Sequence, residues 1–126
     1  MDWKIEVIMV PVEDPDRSKH FYADQLGFHV DVDDTPAPGV RIIQMTPPGS
    51  GCSVTIGMGL TESKPGSLQG VQICVGDIEA AHAQLVDRGV EVSDVQDFPW
   101  GRFVFFHDPD GNAWAVQQIP PRPAAA

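Results

Sequence analysis

The sequence has few basic residues, few cysteines and no long apolar run. Its 126 residues include 8 lysines and arginines against 18 aspartates and glutamates, which gives a formal net charge of -10. Nucleic-acid binding needs a basic surface, so we expect no nucleic-acid partner. An acidic surface keeps a protein soluble, and it also concentrates cationic small molecules. The composition leaves both interpretations open.

The cysteines and the hydropathy pattern narrow the class of protein. Cys52 and Cys74 are too few for a disulfide framework and have no CxxC spacing, so both are predicted to be reduced strand residues. No apolar segment is long enough to cross a bilayer, and the first residues, MDWKIEV, lack the pattern of a signal peptide. We therefore expect one domain with a cytoplasmic location and no membrane partner.

Two segments of the chain repeat the same local pattern. They read VIMVPVEDPDRSKHFYADQLGFHVDV and GVQICVGDIEAAHAQLVDRGVEVSDV. Each predicts a strand ending in Val-x-Asp, then a helix, a glycine and a second strand. Asp14 and Asp77 suit helix N-termini because their carboxylates accept hydrogen bonds from free backbone N–H groups. Gly27 and Gly89 suit helix ends because glycine adopts the left-handed conformation without strain.

Three strand candidates follow each helix. They are HVDV, VRIIQM and CSVTIGM in the first half, and VEVSDV, RFVFFH and NAWAVQQI in the second. The pattern predicts an α+β fold of two βαβββ modules within one domain, residues 1–119. Module one covers 1–60, a linker covers 61–69, module two covers 70–119, and 120–126 is a loose tail rich in proline and alanine.

Three segments carry a family likeness when they are taken together and in order. VPVEDPDRSKHFYADQLGF, VGDIEAAHAQLVDRGV and DPDGNAWAV resemble the vicinal oxygen chelate superfamily, the group of glyoxalases, bleomycin resistance proteins and extradiol dioxygenases. The resemblance covers the chain from about Ile5 to Ile119. It implies that the strands form a cupped mixed sheet with the helices outside. It also implies a homodimer whose cup holds a small-molecule ligand.

The resemblance also identifies the positions at which family metalloenzymes bind a divalent cation. In those enzymes His or Glu side chains hold the metal, and two adjacent substrate oxygens chelate it. The corresponding positions here are Val7, Gly70 and Ala115, with a fourth in 55–57, which reads TIG. A slip of one residue would select Glu6, but its side chain would face the opposite side of the strand. We therefore predict no metal and no cofactor.

Strand alternation then predicts which residues line the cup. Its wall is expected to be apolar with a few amides, which is typical of ligand pockets. The predicted ligand-binding residues are Val7, Met9, Gln72, Cys74, Trp100, Phe103, Phe105, Ala115 and Gln117.

The strand at 102–107 leaves one question open. Phe103, Phe105 and His107 share one of its faces, and the opposite face is also apolar. Either face could belong to the core. The other face would then form, with Trp100, a wall on which a flat or cationic ligand stacks.

Two classes of function fit these observations. The first is a metal-independent binding protein that sequesters an aromatic or cationic natural product or antibiotic, similar to the bleomycin-resistance branch. The alternative is a glyoxalase-like lyase or isomerase, or a ring-cleaving dioxygenase, acting on a small oxygenated substrate. Acid–base catalysis would need a positioned general base, for which the candidates are His107, Glu6 or an acid within 31–34. None of them has a visible catalytic partner, so the sequence leaves enzymatic activity undecided.

Overall fold

The computed structural model describes residues 1–120, so the predicted loose tail at 120–126 lies outside the described residues except for Pro120. The chain forms two compact units. Unit 1 comprises Met1–Leu68 and Asp108–Asn112, and unit 2 comprises Gln69–His107 and the chain from Ala113 onward. Each unit contains one four-stranded sheet of mixed direction and one helical segment, which confirms the predicted α+β class. Among the described residues, no helix has the length and apolar character that a bilayer crossing requires.

Unit 1 contains the first four strands. They are β1 (Val7–Met9), β2 (His29–Ala37), β3 (Val40–Thr46) and β4 (Ser53–Met58), in the sheet order β1-β4-β3-β2. β1 runs parallel to β4, and the other neighbours are antiparallel. The predicted helix cap is present, because the Asp14 carboxylate accepts hydrogen bonds from the backbone N–H groups of Asp16 and Arg17.

The first helix departs from the predicted regular form. Its α-helical part, α1 (Pro15–Lys19), continues as a π-helical segment, His20–Gln25. Phe21 and Tyr22 in that segment are both buried, and their rings pack edge to face at 5.2 Å. The wider turn therefore accompanies the burial of two consecutive aromatic side chains.

Unit 2 repeats this topology. Its elements are β5 (Val71–Cys74), α2 (Ile78–Asp87), β6 (Gln96–Phe98), β7 (Gly101–His107) and β8 (Ala113–Gln118). The sheet order is β5-β8-β7-β6, with β5 parallel to β8. The Asp77 carboxylate caps α2 by accepting a hydrogen bond from the Ala80 backbone N–H.

The strand predicted at VEVSDV is wrong. Within 90–95 only Val92 forms a β-bridge, with Phe106, and the strand lies later, at β6. Ser93 explains the irregularity. Its hydroxyl accepts the hydrogen bond from the Phe105 N–H at 2.9 Å, at a place where a regular ladder would use a backbone carbonyl.

The core of unit 2 shows which face of β7 is buried. Val104 and Phe106 are buried beneath α2, and Phe106 stacks on Trp114 of β8 with ring centroids 6.3 Å apart. The opposite face of β7 carries Phe103, Phe105 and His107. This answers the question that the sequence left open.

A charged cluster on unit 1 yields a prediction on pH dependence. The Arg41 guanidinium and the Lys19 ammonium both donate hydrogen bonds to the Asp33 carboxylate, and they lower the pKa of Asp33 to about 2. Because the folded-state pKa is lowered, the stabilisation is present above about pH 4 and disappears as the pH falls through about 2. We expect Asp33→Asn to lower the free energy of unfolding at neutral pH by at most about 1 kcal/mol, since solvent screens the pair.

Urea titrations of the wild type and the variant between neutral pH and about pH 2 measure the difference in their free energies of unfolding. This difference should become smaller as the pH falls. Asp34→Asn is the matched control, because the Asp34 carboxylate accepts only a backbone hydrogen bond, from Thr35. An equal loss in both variants, or a loss that persists in acid, would contradict the assignment.

Candidate functional site

A pocket of about 250 Å³ lies on the face of the unit 2 sheet that α2 does not cover. Strand register brings its walls together. Ala115 of β8 is paired with Gln72 of β5 on one side and with Phe105 of β7 on the other, and Gln117 is paired with Phe103. The lining residues are Gln72, Phe98, Trp100, Phe103, Phe105, Ala115 and Gln117.

Four of these residues form a continuous series of aromatic contacts, which we call the aromatic wall: Phe98, Trp100, Phe103 and Phe105. Trp100 and Phe98 are stacked, with ring centroids 5.1 Å apart and planes 11° apart. Phe98 meets Phe103 edge to face at 5.6 Å, and Phe103 stacks on Phe105 at 5.9 Å. These geometries are favourable for aromatic pairs.

Burial differs along the aromatic wall. Phe103 is only 4% exposed, whereas Trp100 is 65% exposed. The inner ring is therefore held by its neighbours, while the outer indole presents an open apolar surface. A partner that covers Trp100 would gain the hydrophobic free energy that the isolated chain leaves unused.

Two amides supply the polar groups of the pocket. The side chains of Gln72 and Gln117 make no hydrogen bond with any residue in 1–120. Each amide offers two N–H donors and one carbonyl acceptor. Ala115 lies between them in the register, and its methyl group leaves room above the sheet. The pocket can therefore stack a flat ring and hydrogen-bond to its polar edge.

Among residues 1–120, no charged side chain lines this pocket. Arg102, on the opposite face of β7, donates hydrogen bonds to Asp97 at 2.7 Å and Glu79 at 2.8 Å, and both carboxylates raise its pKa. Its charge is thus engaged away from the aromatic wall. The pocket suits an uncharged aromatic group, or a cation that rests on the ring faces.

The other predicted site residues lie elsewhere. Val7 and Met9 belong to β1 of unit 1, and they do not line the pocket of unit 2. Cys74 is exposed on the same strand as Gln72, two residues beyond it, and is a free thiol outside the lining. His107 is exposed on the pocket face of β7, and it also lies outside the lining.

Phe98 was absent from the predicted ligand-binding residues, although it joins Trp100 to Phe103. Pro99 follows it, and proline is typical of turns. In the structure Phe98 pairs with Gly101 as part of β6. Pro99 and Trp100 form the turn between β6 and β7, and the rings of Phe98 and Trp100 stack at this turn.

The positions that hold a metal in family metalloenzymes carry no suitable donor here. Val7 lies on β1, Ala115 on β8, and Gly70 precedes β5 with a φ of +84°, where glycine is favoured. Within 1–120 no group of three or more His, Cys, Asp or Glu side chains is arranged to hold a metal ion. The residues present do not fit a divalent cation at these positions.

The turn Asp108–Asn112 has a structural role in unit 1. The Asp108 carboxylate accepts hydrogen bonds from the Tyr22 hydroxyl and from the Asn112 amide, both at 2.7 Å. The Asn112 amide also donates to the Pro11 carbonyl, and its oxygen accepts from the Leu68 N–H. Asp108 and Asn112 are buried and fully occupied by these bonds. The geometry of this turn is thus explained by packing rather than by ligand binding.

Comparison with known proteins places this architecture in a family. The sequence matches the profile of the Glyoxalase/Bleomycin resistance protein/Dioxygenase superfamily over residues 4–116. The crystal structure of TnmS3, an antibiotic binding protein from Streptomyces sp. CB03234, is similar with a TM-score of 0.85 and 34% identity, covering 94% of this chain and 98% of that one.

Two further relatives agree. A superfamily member from Sphaerobacter thermophilus DSM 20745 has a TM-score of 0.82 and 30% identity, covering 93% of this chain and 98% of that one. The protein YetH of Bacillus subtilis (strain 168) is 24% identical over 117 residues, which is 91% of this chain and 98% of YetH. The sheet order, the repeated units and these matches together identify the chain as a member of the glyoxalase, bleomycin resistance protein and dioxygenase superfamily.

Proposed function

We propose that this protein binds a small aromatic molecule in the pocket of unit 2, without a metal ion, and sequesters it unchanged. The observation that carries the proposal is the aromatic wall, which ends in an indole ring that is largely exposed. Exposed aromatic clusters of this kind are typical of binding surfaces. A flat ligand would stack on Trp100 and Phe98, while the amides of Gln72 and Gln117 would hydrogen-bond to its edge.

The likeness to TnmS3 supports a natural product or antibiotic as the class of ligand. That protein is described as an antibiotic binding protein, and it is 34% identical to this chain over nearly all of both chains. The uncharged lining favours an aromatic ring system over a ligand that is recognised by its charge. The net charge of -10 would then act at a distance, by attracting any cationic substituent of the ligand.

The positions of the candidate acids and bases favour binding over turnover. His107 does not line the pocket, and it makes no hydrogen bond with the described residues. Glu6 lies in unit 1, as do the acids of 31–34, two of which are engaged: Asp31 with Thr46 and Asp33 with Arg41. Acid–base catalysis needs a base within hydrogen-bond reach of the substrate. None of the described residues that line the pocket of unit 2 is such a base.

The homodimer and the cytoplasmic location stay predictions. β1 and β5 each lie at one edge of a four-stranded sheet and pair with one neighbouring strand of that sheet. Sheet edges are common places of association between chains. We include association of two chains through such edges in the proposed function.

A ligand screen tests the proposal. Aromatic natural products are added to the purified protein, and the melting temperature and the tryptophan fluorescence are recorded. We expect saturable stabilisation by an intact compound, about 2.7 kcal/mol at 100 times its Kd, because the ligand binds only the native state. Trp100→Ala should weaken binding by roughly 30-fold, equivalent to about 2 kcal/mol, as expected for a central aromatic contact.

Trp3→Ala is the matched control, because Trp3 is also exposed but belongs to unit 1. Its affinity should equal that of the wild type. Treatment with a chelator should leave the affinity unchanged, and mass spectrometry should recover the compound intact. Binding that is lost on chelation, or a converted product, would overturn the proposal.

A further inference from the structure

Unit 1 contains a second cavity, of about 370 Å³, which plays no part in the proposed function. It lies where β1 and β4 run side by side, and Met9 of β1 is paired with Thr55 of β4. Beyond β4 the chain runs past Leu60 along the wall of the cavity, and Met58 adds a second methionine to that wall. We call this site the methionine cavity.

The chain can take this path because of Gly57. A Cβ atom at that position would lie 1.8 Å from the Arg41 carbonyl oxygen, so no other residue fits without moving the backbone. Met9 and Met58 are both exposed, and methionine side chains adapt well to apolar ligands of varied shape. The wall is therefore fixed in its backbone and adaptable in its side chains.

Thr55 gives the methionine cavity a polar group that has no partner. The residue is only 6% exposed, yet its hydroxyl makes no hydrogen bond with any residue in 1–120. Every fully buried side-chain oxygen and nitrogen atom in residues 1–120 has a hydrogen-bond partner. Because the Thr55 hydroxyl has none, it is still reached by solvent. A hydroxyl in such a place is available to a ligand.

The charge on the wall has one sign. Glu13 is the one charged residue in the lining, and no basic side chain of the described residues lines the cavity. Its backbone N–H donates to Asp110 at 3.1 Å, which fixes its position, while its carboxylate forms no ion pair with the described residues. Two cations line a neighbouring pocket with Glu13: Arg17 is paired with Asp110 at 3.2 Å, and Lys64 forms no ion pair with the described residues. The wall mixes polar groups with the two methionine side chains, so a single unpaired carboxylate on it favours a cation that also carries an apolar part.

We propose that the methionine cavity binds an aliphatic amine in its protonated form. The ammonium group donates hydrogen bonds to the Glu13 carboxylate, the alkyl chain packs against Met9 and Met58, and the Thr55 hydroxyl accepts or donates one further hydrogen bond. The site lies in a different unit from the aromatic wall, so its ligand does not depend on the function proposed above.

The methionines themselves report on this site. The chain has 4 of them, and their methyl groups can be labelled with ¹³C and followed by NMR. Octylammonium, kept below its micelle concentration, is the probe. We expect saturable shifts of the Met9 and Met58 signals, whereas the fully buried Met45 and the exposed Met1 stay unchanged. Octanol, with the same chain and no charge, should bind about tenfold more weakly, and octanoate should not bind.

Variants then assign the polar contacts. Glu13→Gln should reduce the affinity for octylammonium to that for octanol, and Thr55→Val should reduce it by about threefold while the signal of Met45 stays in place. Glu62→Gln is the control, because Glu62 is an exposed acid nearby in sequence that does not line the cavity. Equal shifts of all four methionines, equal binding of octanoate, or unchanged affinity in Glu13→Gln would each overturn the proposal.

Discussion

Ala115→Trp is expected to abolish binding of the aromatic ligand while the protein stays folded. Ala115 is paired with Gln72 and with Phe105, and it forms the middle of the pocket of about 250 Å³. An indole ring at this position would occupy the space above the sheet and cover the two amides. We expect a loss of affinity of more than 100-fold, about 3 kcal/mol or more. Titration by thermal shift or fluorescence measures it.

Ala113→Trp is the matched control for this variant. Ala113 lies two residues earlier on the same face of β8, is similarly half-buried, and is paired with His107 outside the pocket. The control should melt as the wild type does and keep its affinity for the ligand. If Ala115→Trp is folded and binds normally, the ligand site is elsewhere and the proposed function loses its main support.

Asp108→Ala is expected to cause the largest loss of stability. The carboxylate accepts four hydrogen bonds, from the Tyr22 hydroxyl, the Asn112 amide and the backbone N–H groups of Asp110 and Asn112. Removing the carboxylate leaves several donors without this acceptor. Each buried donor without a partner costs about 1–3 kcal/mol, and water that enters the site reduces the total. We expect the free energy of unfolding to fall by about 3–5 kcal/mol, measured by urea denaturation.

Two further variants provide reference values for this loss of stability. Tyr22→Phe removes one of the four bonds and should cost about 1 kcal/mol. Asp97→Ala removes an exposed carboxylate that is paired with Arg102, and it should cost the least of the three variants because solvent screens the pair. A loss in Asp108→Ala no greater than that in Asp97→Ala would contradict the structural role of the turn.

The repeat and its capping residues could be predicted from sequence because their signals are local. Asp14 and Asp77 each occupy the N-terminal cap that they predicted, and Gly27 and Gly89 both adopt positive φ. Strand alternation likewise separates Ala115 from its neighbours Trp114 and Val116, which are both buried on the other face of β8. A period of two is enough to separate these faces once the strand is known.

The sequence could not predict which face of β7 packs against the core, because both faces carry large apolar side chains. Only the register with β8 decides it, since Phe106 is paired with Trp114 and Phe105 with Ala115. The prediction of a strand at 90–95 was wrong because sequence alternation does not show backbone hydrogen bonding. Its alternation is regular in sequence, but the Ser93 hydroxyl takes over a backbone hydrogen bond.

The methionine cavity could not be predicted either. Its wall combines β1, the end of β4 and the segment after β4. Strand alternation predicts the two faces of one strand, but it does not predict which strands and loops lie together. The sequence singled out Met9 as a ligand-binding residue, and that role remains a prediction. The sequence also does not show that the Glu13 carboxylate forms no ion pair within residues 1–120. That state depends on the ion pair between Arg17 and Asp110.

The turn Asp108–Asn112 has a consequence for how the gene can be divided. The two repeats invite the idea that each half of the chain is a separable piece, as expected after a duplication. Unit 1, however, includes these five residues from late in the chain, and they supply the partners of Tyr22 and Pro11. A fragment that ends at Leu68 would leave a buried tyrosine hydroxyl without its acceptor. The first repeat can therefore be completed only after synthesis of the chain has passed residue 112.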